Sequence, residues 1–267
     1  MTITETQGSS AVQGALWGAA AEDWASLMEP QGRPLFDAVL ARGRFTPEGH
    51  VLDVGCGSGF FVKLIAAHGC DVTGFDASEP LLSVARRRAP GASFHHGDME
   101  ALPFPDEAFD IVTGMNSFQY AADPRRALGE ARRVAKRGGQ IFLATWGLPE
   151  ACEAAAYLAA LKPLLPPPPP GAGGPFALSD EGALRSLVTS AGLTPQSIED
   201  VDVTWQFENL DTALAAMLAA GPSVLAIQTS GRDRVEATLE RAIAPFRLSS
   251  GGYQLENRFR YVLATCD

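Results

Sequence analysis

Short apolar runs alternate along the middle of the chain with stretches of helical hydrophobic spacing. Residues 51–54 form a compact apolar run around Asp53 and predict an interior parallel strand; a helix follows from about residue 58 to 68. The pattern then predicts strands over 72–75, 93–95, 109–115 and 140–144, with helices over 80–88 and 124–135 between them. Strand and helix in this order demand a parallel sheet covered by helices on both faces. The ligand crevice of such a sheet lies at the carboxyl ends of the strands, where the winding reverses.

The flanks read differently. Residues 1 to about 10 are polar and are expected to be disordered. Trp17, Trp24, Leu27 and Met28 recur at roughly helical spacing, so 13–28 predicts one amphipathic helix, and 33–42 a second. Beyond Trp146 the stretch 148–165 is alanine-rich and helix-like; it ends in a proline run at 166–170 and a glycine-rich piece at 171–174, read as an exposed connector. A helix is expected over 179–191, with Ser179 as its cap and Gly192 past its end. Residues 197–207 alternate as a strand does, and 210–220 and 232–244 are helix-like, separated by Gly221-Pro222.

The candidate chemistry lies in the turn after the first strand, where Gly55, Gly57 and Gly59 follow Asp53. Bare backbone there lets a nucleotide-like ligand approach, and the helix start adds unpaired N–H groups and a positive dipole end. The spacing is GxGxG; Phe60 stands where the third glycine of a dinucleotide fingerprint would fall. Asp76 ends the second strand and is placed to accept from both hydroxyls of a ribose. The third strand leads into Gly97-Asp98-Met99.

Four segments in order, DVGCGSG, GFDAS, GDMEALPFPDEAFDIV and RGGQIFLATW, span 51–146. Together they resemble the class I S-adenosylmethionine-dependent methyltransferases, in the small-molecule branch related to the ubiquinone and menaquinone C-methyltransferases (methyltransferase type 11-like). One GxGxG is a weak signal; four segments at matching spacing are specific. The resemblance implies an α/β fold, a Rossmann-like doubly wound seven-stranded sheet, mostly parallel with an antiparallel last strand, plus helical cap elements. It makes 197–207 the sixth strand and 257–265 the seventh.

The resemblance also implies S-adenosyl-L-methionine as cofactor. Its site would comprise Trp17, Asp53, Gly55, Gly57, Gly59, Asp76, Ala77, Asp98, Met99, Met115 and Asn116. Asp76 would bind ribose, while Asp98 would accept from the adenine amine and the Met99 N–H would donate. Taken alone, Asp98 reads as a turn residue. Trp24 reads as a packing anchor, and Trp17 equally as packing or as an indole folded over the cofactor. A nicotinamide dinucleotide, the other ligand suited to Asp76, is opposed by the glycine spacing and by Asp98-Met99.

The family often has a histidine after the fourth strand, where this chain has Gln119-Tyr120. Neither is a strong base at neutral pH, so no catalytic residue is assigned. Gln119, Tyr120, Trp205 and Tyr253 are the candidates for the acceptor. Expected organisation is an N-terminal helical segment (1–45) over the cofactor site, a core (46–205), a helical insertion (206–254) capping the acceptor pocket, and a final core strand (255–267).

Charge and composition narrow the partners. Acidic residues number 31 against 21 basic, a formal charge of −10 that opposes nucleic-acid binding. No apolar run spans a bilayer; the nearest, 212–227, is broken by Gly221-Pro222. The N-terminus shows no signal-peptide pattern, so a cytoplasmic protein, monomer or homodimer, is expected. Four cysteines form no CxxC pair and the histidines no ligand spacing, so no metal is expected. The reading is a methyltransferase of a small-molecule metabolite; the alternatives are a non-methylating enzyme using the same pocket and a binding module without turnover.

Overall fold

The computed structural model describes residues 8–167 and 174–266. In chain order it runs α1 (Ser10–Gly18), α2 (Ala21–Asp23), α3 (Arg33–Arg42), β1 (His50–Val54), α4 (Phe60–Ala66), β2 (Asp71–Asp76), α5 (Glu79–Arg88), β3 (Ser93–His96), β4 (Phe109–Met115), α6 (Pro124–Val134) and β5 (Ala135–Trp146). It continues through α7 (Ala155–Leu161), α8 (Glu181–Ser190), β6 (Thr194–Phe207), α9 (Leu210–Leu218), α10 (Gly221–Ser230), α11 (Arg232–Ile243) and β7 (Tyr253–Thr265). The disorder expected of the N-terminus falls largely on residues outside those described, as does most of the proline and glycine connector, 168–173.

The strands form one sheet in the order β3-β2-β1-β4-β5-β7-β6. β1 to β5 are parallel, and β7 runs antiparallel to both β5 and β6. This is a Rossmann-like, doubly wound sheet whose winding reverses between β1 and β4. The two-residue period of the strands feeds two cores. From β1 and β5, Val51, Phe142 and Ala144 face the layer built with Leu35, Val39, Val62 and Ile65 of α3 and α4. Leu52, Val54, Ile141 and Leu143 face Leu128 and Ala131 of α6 and Leu184 and Val188 of α8. All are almost wholly buried, and each large side chain contributes about 1.5–3 kcal/mol by leaving water.

Several expected boundaries move. The helix expected over 13–28 is broken: Ala20 leaves helical geometry at φ −137°, ψ 53°, and the chain continues through α2, a π-turn over Trp24–Met28 and a 3-10 turn over Glu29–Gly32. In an unbroken helix Trp17 and Trp24 would sit roughly 10 Å apart along the axis; the break brings their rings edge to face at 4.7 Å. Pro222 occupies the first turn of α10, where a missing N–H costs nothing, so a third helix stands in the late insertion. Asp180, and not Ser179, caps α8 by accepting from Ala183 N at 2.8 Å. The 148–165 stretch is a short α7 flanked by 3-10 turns.

The last strand starts at Tyr253, two residues inside the stretch assigned to the insertion, and pairs antiparallel with β6 from Phe207↔Tyr253 to Thr194↔Thr265. Among the described residues no single helix is long and apolar enough to cross a membrane; α9 and α10, the apolar pair, bend by 87° and bury Leu214, Met217 and Val224 against the rest of the fold.

Candidate cofactor and acceptor site

The loop after β1 passes through Gly55, Gly57 and Gly59 at φ 73°, 55° and 75°, a conformation that other side chains rarely take. Gly55 N and Cys56 N both donate to Phe75 O, at 2.7 and 3.1 Å, which fixes the loop against the end of β2. Each glycine also answers a close approach. A Cβ on Gly55 would stand 2.4 Å from Ser117 Cβ, and one on Gly57 2.7 Å from Glu29 Oε1. On Gly59 it would meet Ala85 Cβ at 2.8 Å. Gly55 and Gly57 line a deep cavity; Gly59 does not, and serves the packing of α4 on α5.

Three carboxyl groups foreseen from the sequence line the same cavity. Asp76 Oδ2 accepts from Gly57 N and Oδ1 from Ser78 N, each at 2.8 Å. A carboxylate has about four lone-pair sites, so each oxygen retains one for a ligand hydroxyl. Burial pushes the Asp76 carboxyl up, against the pull of these backbone donors. Asp53 is buried and accepts from Thr113 Oγ1 at 2.7 Å; burial, with the charges of Glu29 and Asp76, pushes it up to about 7. Asp98 Oδ1 accepts from Glu100 N at 2.9 Å, so it does shape its turn, while Asp98 and Met99 both face the cavity.

Glu29 is a fourth acid on the cavity wall, and nothing in the sequence marked it. It accepts from Ser58 N at 2.9 Å, from Ser58 Oγ and from the Arg88 guanidinium. Burial pushes its carboxyl up and these donors pull it down. The partners lie 29 and 59 residues away in sequence, so no local spacing could reveal the cluster.

The first helix closes this end of the cavity. A Cβ on Gly14 would stand 2.0 Å from Ala77 O, and one on Gly18 2.5 Å from Ser78 Oγ. Small residues one turn apart thus seat α1 on the loop that follows Asp76. Ser10, Gln13 and Trp17 line the cavity from α1. Gln31 extends the closure across the molecule: its Nε2 donates to Gln206 O at 2.9 Å and its Oε1 accepts from Gln206 N at 3.1 Å, pairing with β6 as a strand would.

Beyond Met115 and Asn116 the cavity becomes aromatic. Trp17 meets Trp24 and Tyr120 edge to face, at 4.7 and 5.3 Å between centroids. Trp146 stacks on Phe259 at 4.5 Å and meets Trp205 at 5.5 Å. Tyr157 lies 6.4 Å from Trp205. Trp146, Tyr157 and Phe259 were not singled out for the acceptor; the two tyrosines come from separate elements, and only the fold brings them together. No lysine, arginine or histidine lines the cavity among the described residues.

Two acceptor candidates are not on this wall. Gln119 is buried outside it, its Nε2 donating to Asn116 Oδ1 and its Oε1 unpaired among the described residues. Asn116 has φ 59° and its N–H donates to Ala144 O at 2.9 Å, so Gln119 braces a constrained residue. Tyr253 is buried at the start of β7, paired with Phe207 of β6, and does not line the cavity. Tyr120 and Trp205 do line it. Among the described residues no group of three or more His, Cys, Asp or Glu side chains is arranged to hold a metal.

With this geometry in view, the chain is similar in sequence to methyltransferases. Residues 52–143 match the family described as a methyltransferase domain. A ubiquinone biosynthesis O-methyltransferase of Coxiella burnetii is 38% identical over 100 residues, 36% of this chain and 43% of that one. A demethylmenaquinone methyltransferase of Renibacterium salmoninarum is 39% identical over 117 residues, 44% and 48% of the two chains. The matched stretch is thus less than half the length of either relative. A putative methyltransferase from Bacillus halodurans C-125 has the same fold, with a TM-score of 0.59 at 20% identity over 86% of this chain and 97% of that one. The fold is that of the class I methyltransferases. More narrowly, the segment 52–143, from β1 into β5, matches the methyltransferase domain family and is similar in sequence to parts of these two relatives.

Proposed function

We propose that the whole chain is an S-adenosylmethionine-dependent methyltransferase acting on a small-molecule metabolite. The observation that carries this reading is the continuity of one cavity, from the glycine loop and its acids to an aromatic chamber beyond Asn116. The residues present fit the cofactor. Asp76 would take the ribose hydroxyls, and Asp98 and Met99 the adenine edge. Asp53, beside the glycine loop, would face the ammonium of the amino-acid end. Trp17 and Trp24 line the cavity, and a cation seated over an indole face there would gain about 2 kcal/mol where water is excluded.

When bound, the cofactor supplies an activated methyl group and its own leaving group. What remains for the chain is to hold an acceptor in line, which is worth some ~7–11 kcal/mol when the geometry is good. Among the described residues the cavity wall offers no histidine as a base, and Tyr120 is pushed up by burial and stays protonated at neutral pH. The chamber therefore positions and excludes water, and an acceptor that ionises readily needs nothing more from it. Four buried free thiols suit a reducing compartment and support a cytoplasmic placement.

Titration calorimetry with S-adenosylhomocysteine, and mass spectrometry of metabolite pools incubated with methyl-labelled cofactor, test the reading. Asp76→Ala should weaken S-adenosylhomocysteine by ~10- to 100-fold, through loss of charged hydrogen bonds worth ~1.5–3 kcal/mol. Unchanged affinity in a folded variant would remove Asp76 from the cofactor site. Binding with no labelled product from any pool would favour a module without turnover.

A further inference from the structure

The two charged groups at the amino-acid end of a cofactor meet unequal partners in this cavity. Successive backbone N–H groups in a glycine turn commonly hold an anion, but from Gly55 to Gly59 every one is already spent inside the chain. Gly55 N and Cys56 N donate to Phe75 O, and Gly59 N donates to Cys56 O at 3.0 Å. Gly57 N donates to Asp76 Oδ2 and Ser58 N to Glu29 Oε1. Two of the chain's own carboxylates thus occupy donors that a ligand carboxylate would use.

The charges on the wall are one-sided in the same sense. Glu29, Asp53, Asp76 and Asp98 line the cavity, and among the described residues no lysine, arginine or histidine does. Residues 1–7 and 168–173, outside those described, contain none of the three. One guanidinium reaches the glycine loop without lining the cavity, that of Arg88, and it is committed. It donates to Glu29 Oε2, to Ser58 Oγ at 2.5 Å and Ser58 O at 3.1 Å, and to Ala25 O at 2.6 Å. The side chains of Arg88 and Glu29 are only 18% and 9% exposed, and opening so sheltered a pair is strongly unfavourable. A ligand carboxylate is left with neutral donors, the amide N–H groups of Gln13 and Asn116, whose oxygens already accept from Trp17 and Gln119. Its only cation is the ligand's own ammonium. That ammonium, by contrast, meets acids on several sides, and its charge favours their ionised forms.

We propose that the site recognises the ammonium of the cofactor's amino-acid end and leaves the carboxylate unrecognised, so that it takes a decarboxylated, aminopropyl form of the cofactor as well as the amino-acid form. This deepens the methyltransferase reading and rests on it. Glu29 decides the preference: by holding Ser58 N and Arg88 it fills the place of a ligand carboxylate.

The test is calorimetry on the full chain with three thioethers that share the adenosine: S-adenosylhomocysteine, its decarboxylated aminopropyl analogue, and methylthioadenosine, which has neither charged group. None carries a sulfonium, so the differences report the amino-acid end alone. A hydrogen bond to a charged partner is worth more than about tenfold in affinity, and a neutral one about tenfold or less. The aminopropyl ligand should therefore bind within ~10-fold of S-adenosylhomocysteine or more tightly, and methylthioadenosine at least ~10-fold more weakly than the aminopropyl ligand. In Glu29→Gln the Arg88 guanidinium loses its carboxylate, and the ratio of the first two affinities should move towards S-adenosylhomocysteine by ~10-fold or more, whatever the variant does to stability. An aminopropyl ligand more than ~10-fold weaker than S-adenosylhomocysteine overturns the proposal, as does methylthioadenosine binding as tightly as the aminopropyl ligand. An unchanged ratio in Glu29→Gln overturns it too, while the comparisons in the parent protein need no variant. Binding of none of the three sinks the methyltransferase reading itself; binding in the wrong order sinks this proposal alone.

Discussion

Asp53 shows how much one buried carboxyl can report. Its pKa rises from 3.8 to about 7, burial being the largest cause. In the ligand-free fold a raised carboxyl favours the protonated form. Its contribution to stability is thus fully present below about pH 4 and is lost as the pH climbs through 7. If the proposed cofactor places its ammonium beside Asp53, binding reverses the preference, because the ammonium favours the carboxylate. Affinity for S-adenosylhomocysteine should therefore fall by up to about tenfold per pH unit below 7 and level off above it. Calorimetry at pH 6 in two buffers of different ionisation heat should register close to one proton released per ligand bound; Asp53→Asn should bind more weakly and lose most of that release. A pH-independent affinity in the parent protein would show that Asp53 does not face the ammonium. The glycines make a related point at the same scale. The sequence read all three as room for a ligand, yet Gly59 makes room for Ala85. Backbone requirements were legible; what each bare Cα faced was not.

At the scale of elements, the parallel half of the sheet was legible because each strand is a short apolar run bounded by turn residues, and the motif residues follow strand ends by necessity. The N-terminal segment was not, because hydrophobic spacing over 13–28 is compatible with one helix and with two that meet at an angle. The break at Ala20 is set by tertiary contacts: Trp17 against Trp24 and Tyr120, Gly14 against Ala77, Gly18 against Ser78. Gln119 and Tyr253 lie off the cavity wall for a similar reason, since sequence fixes which turn or strand a residue joins but not which side of it faces a cavity. The seating of α1 yields a prediction. Gly14→Val puts a Cβ carrying two methyl groups where a Cβ would stand 2.0 Å from the Ala77 carbonyl oxygen, so α1 must lift while the sheet, which it does not help to build, persists. S-adenosylhomocysteine should bind at least ~10-fold more weakly, as a lid's closed-state contacts are lost. The far-UV circular dichroism and the melting temperature should change little. Gly14→Ala should give an intermediate effect, and full affinity in the valine variant would show that α1 is not a lid.

For the whole molecule, the cavity is the place where distant parts of the chain meet. Its wall draws on α1 and the turns to Gly32, the glycine loop, the ends of β2 and β4, Trp146 of β5, Tyr157 of α7, Trp205 of β6 and Pro222 of α10. Two latches hold the N-terminal segment across this span: Glu29 on Ser58 and Arg88 at one end, Gln31 on Gln206 at the other. A ligand that fills the cradle then strengthens contacts on every side of it, and its stabilisation should reach beyond the residues it touches. At about 100 times its dissociation constant, S-adenosylhomocysteine adds about 2.7 kcal/mol to the stability of the folded state, or roughly 5–10 °C in melting temperature for a domain of this size. Hydrogen exchange is the measurement that locates the effect. Ligand should slow exchange in the glycine loop and around residues 76–78 and 97–99, and also in residues 10–32 and at the start of α10, where Gly221 packs on the Trp17 indole with a Cβ position only 2.8 Å from Trp17 Cε2. Glu29→Gln, which weakens one latch, should shrink the protection over 10–32 more than that over the glycine loop. Protection confined to the cradle in the parent protein would mean that the N-terminal segment stands clear of the cofactor, and the roof of the acceptor chamber would then have to come from α7 and α10 alone.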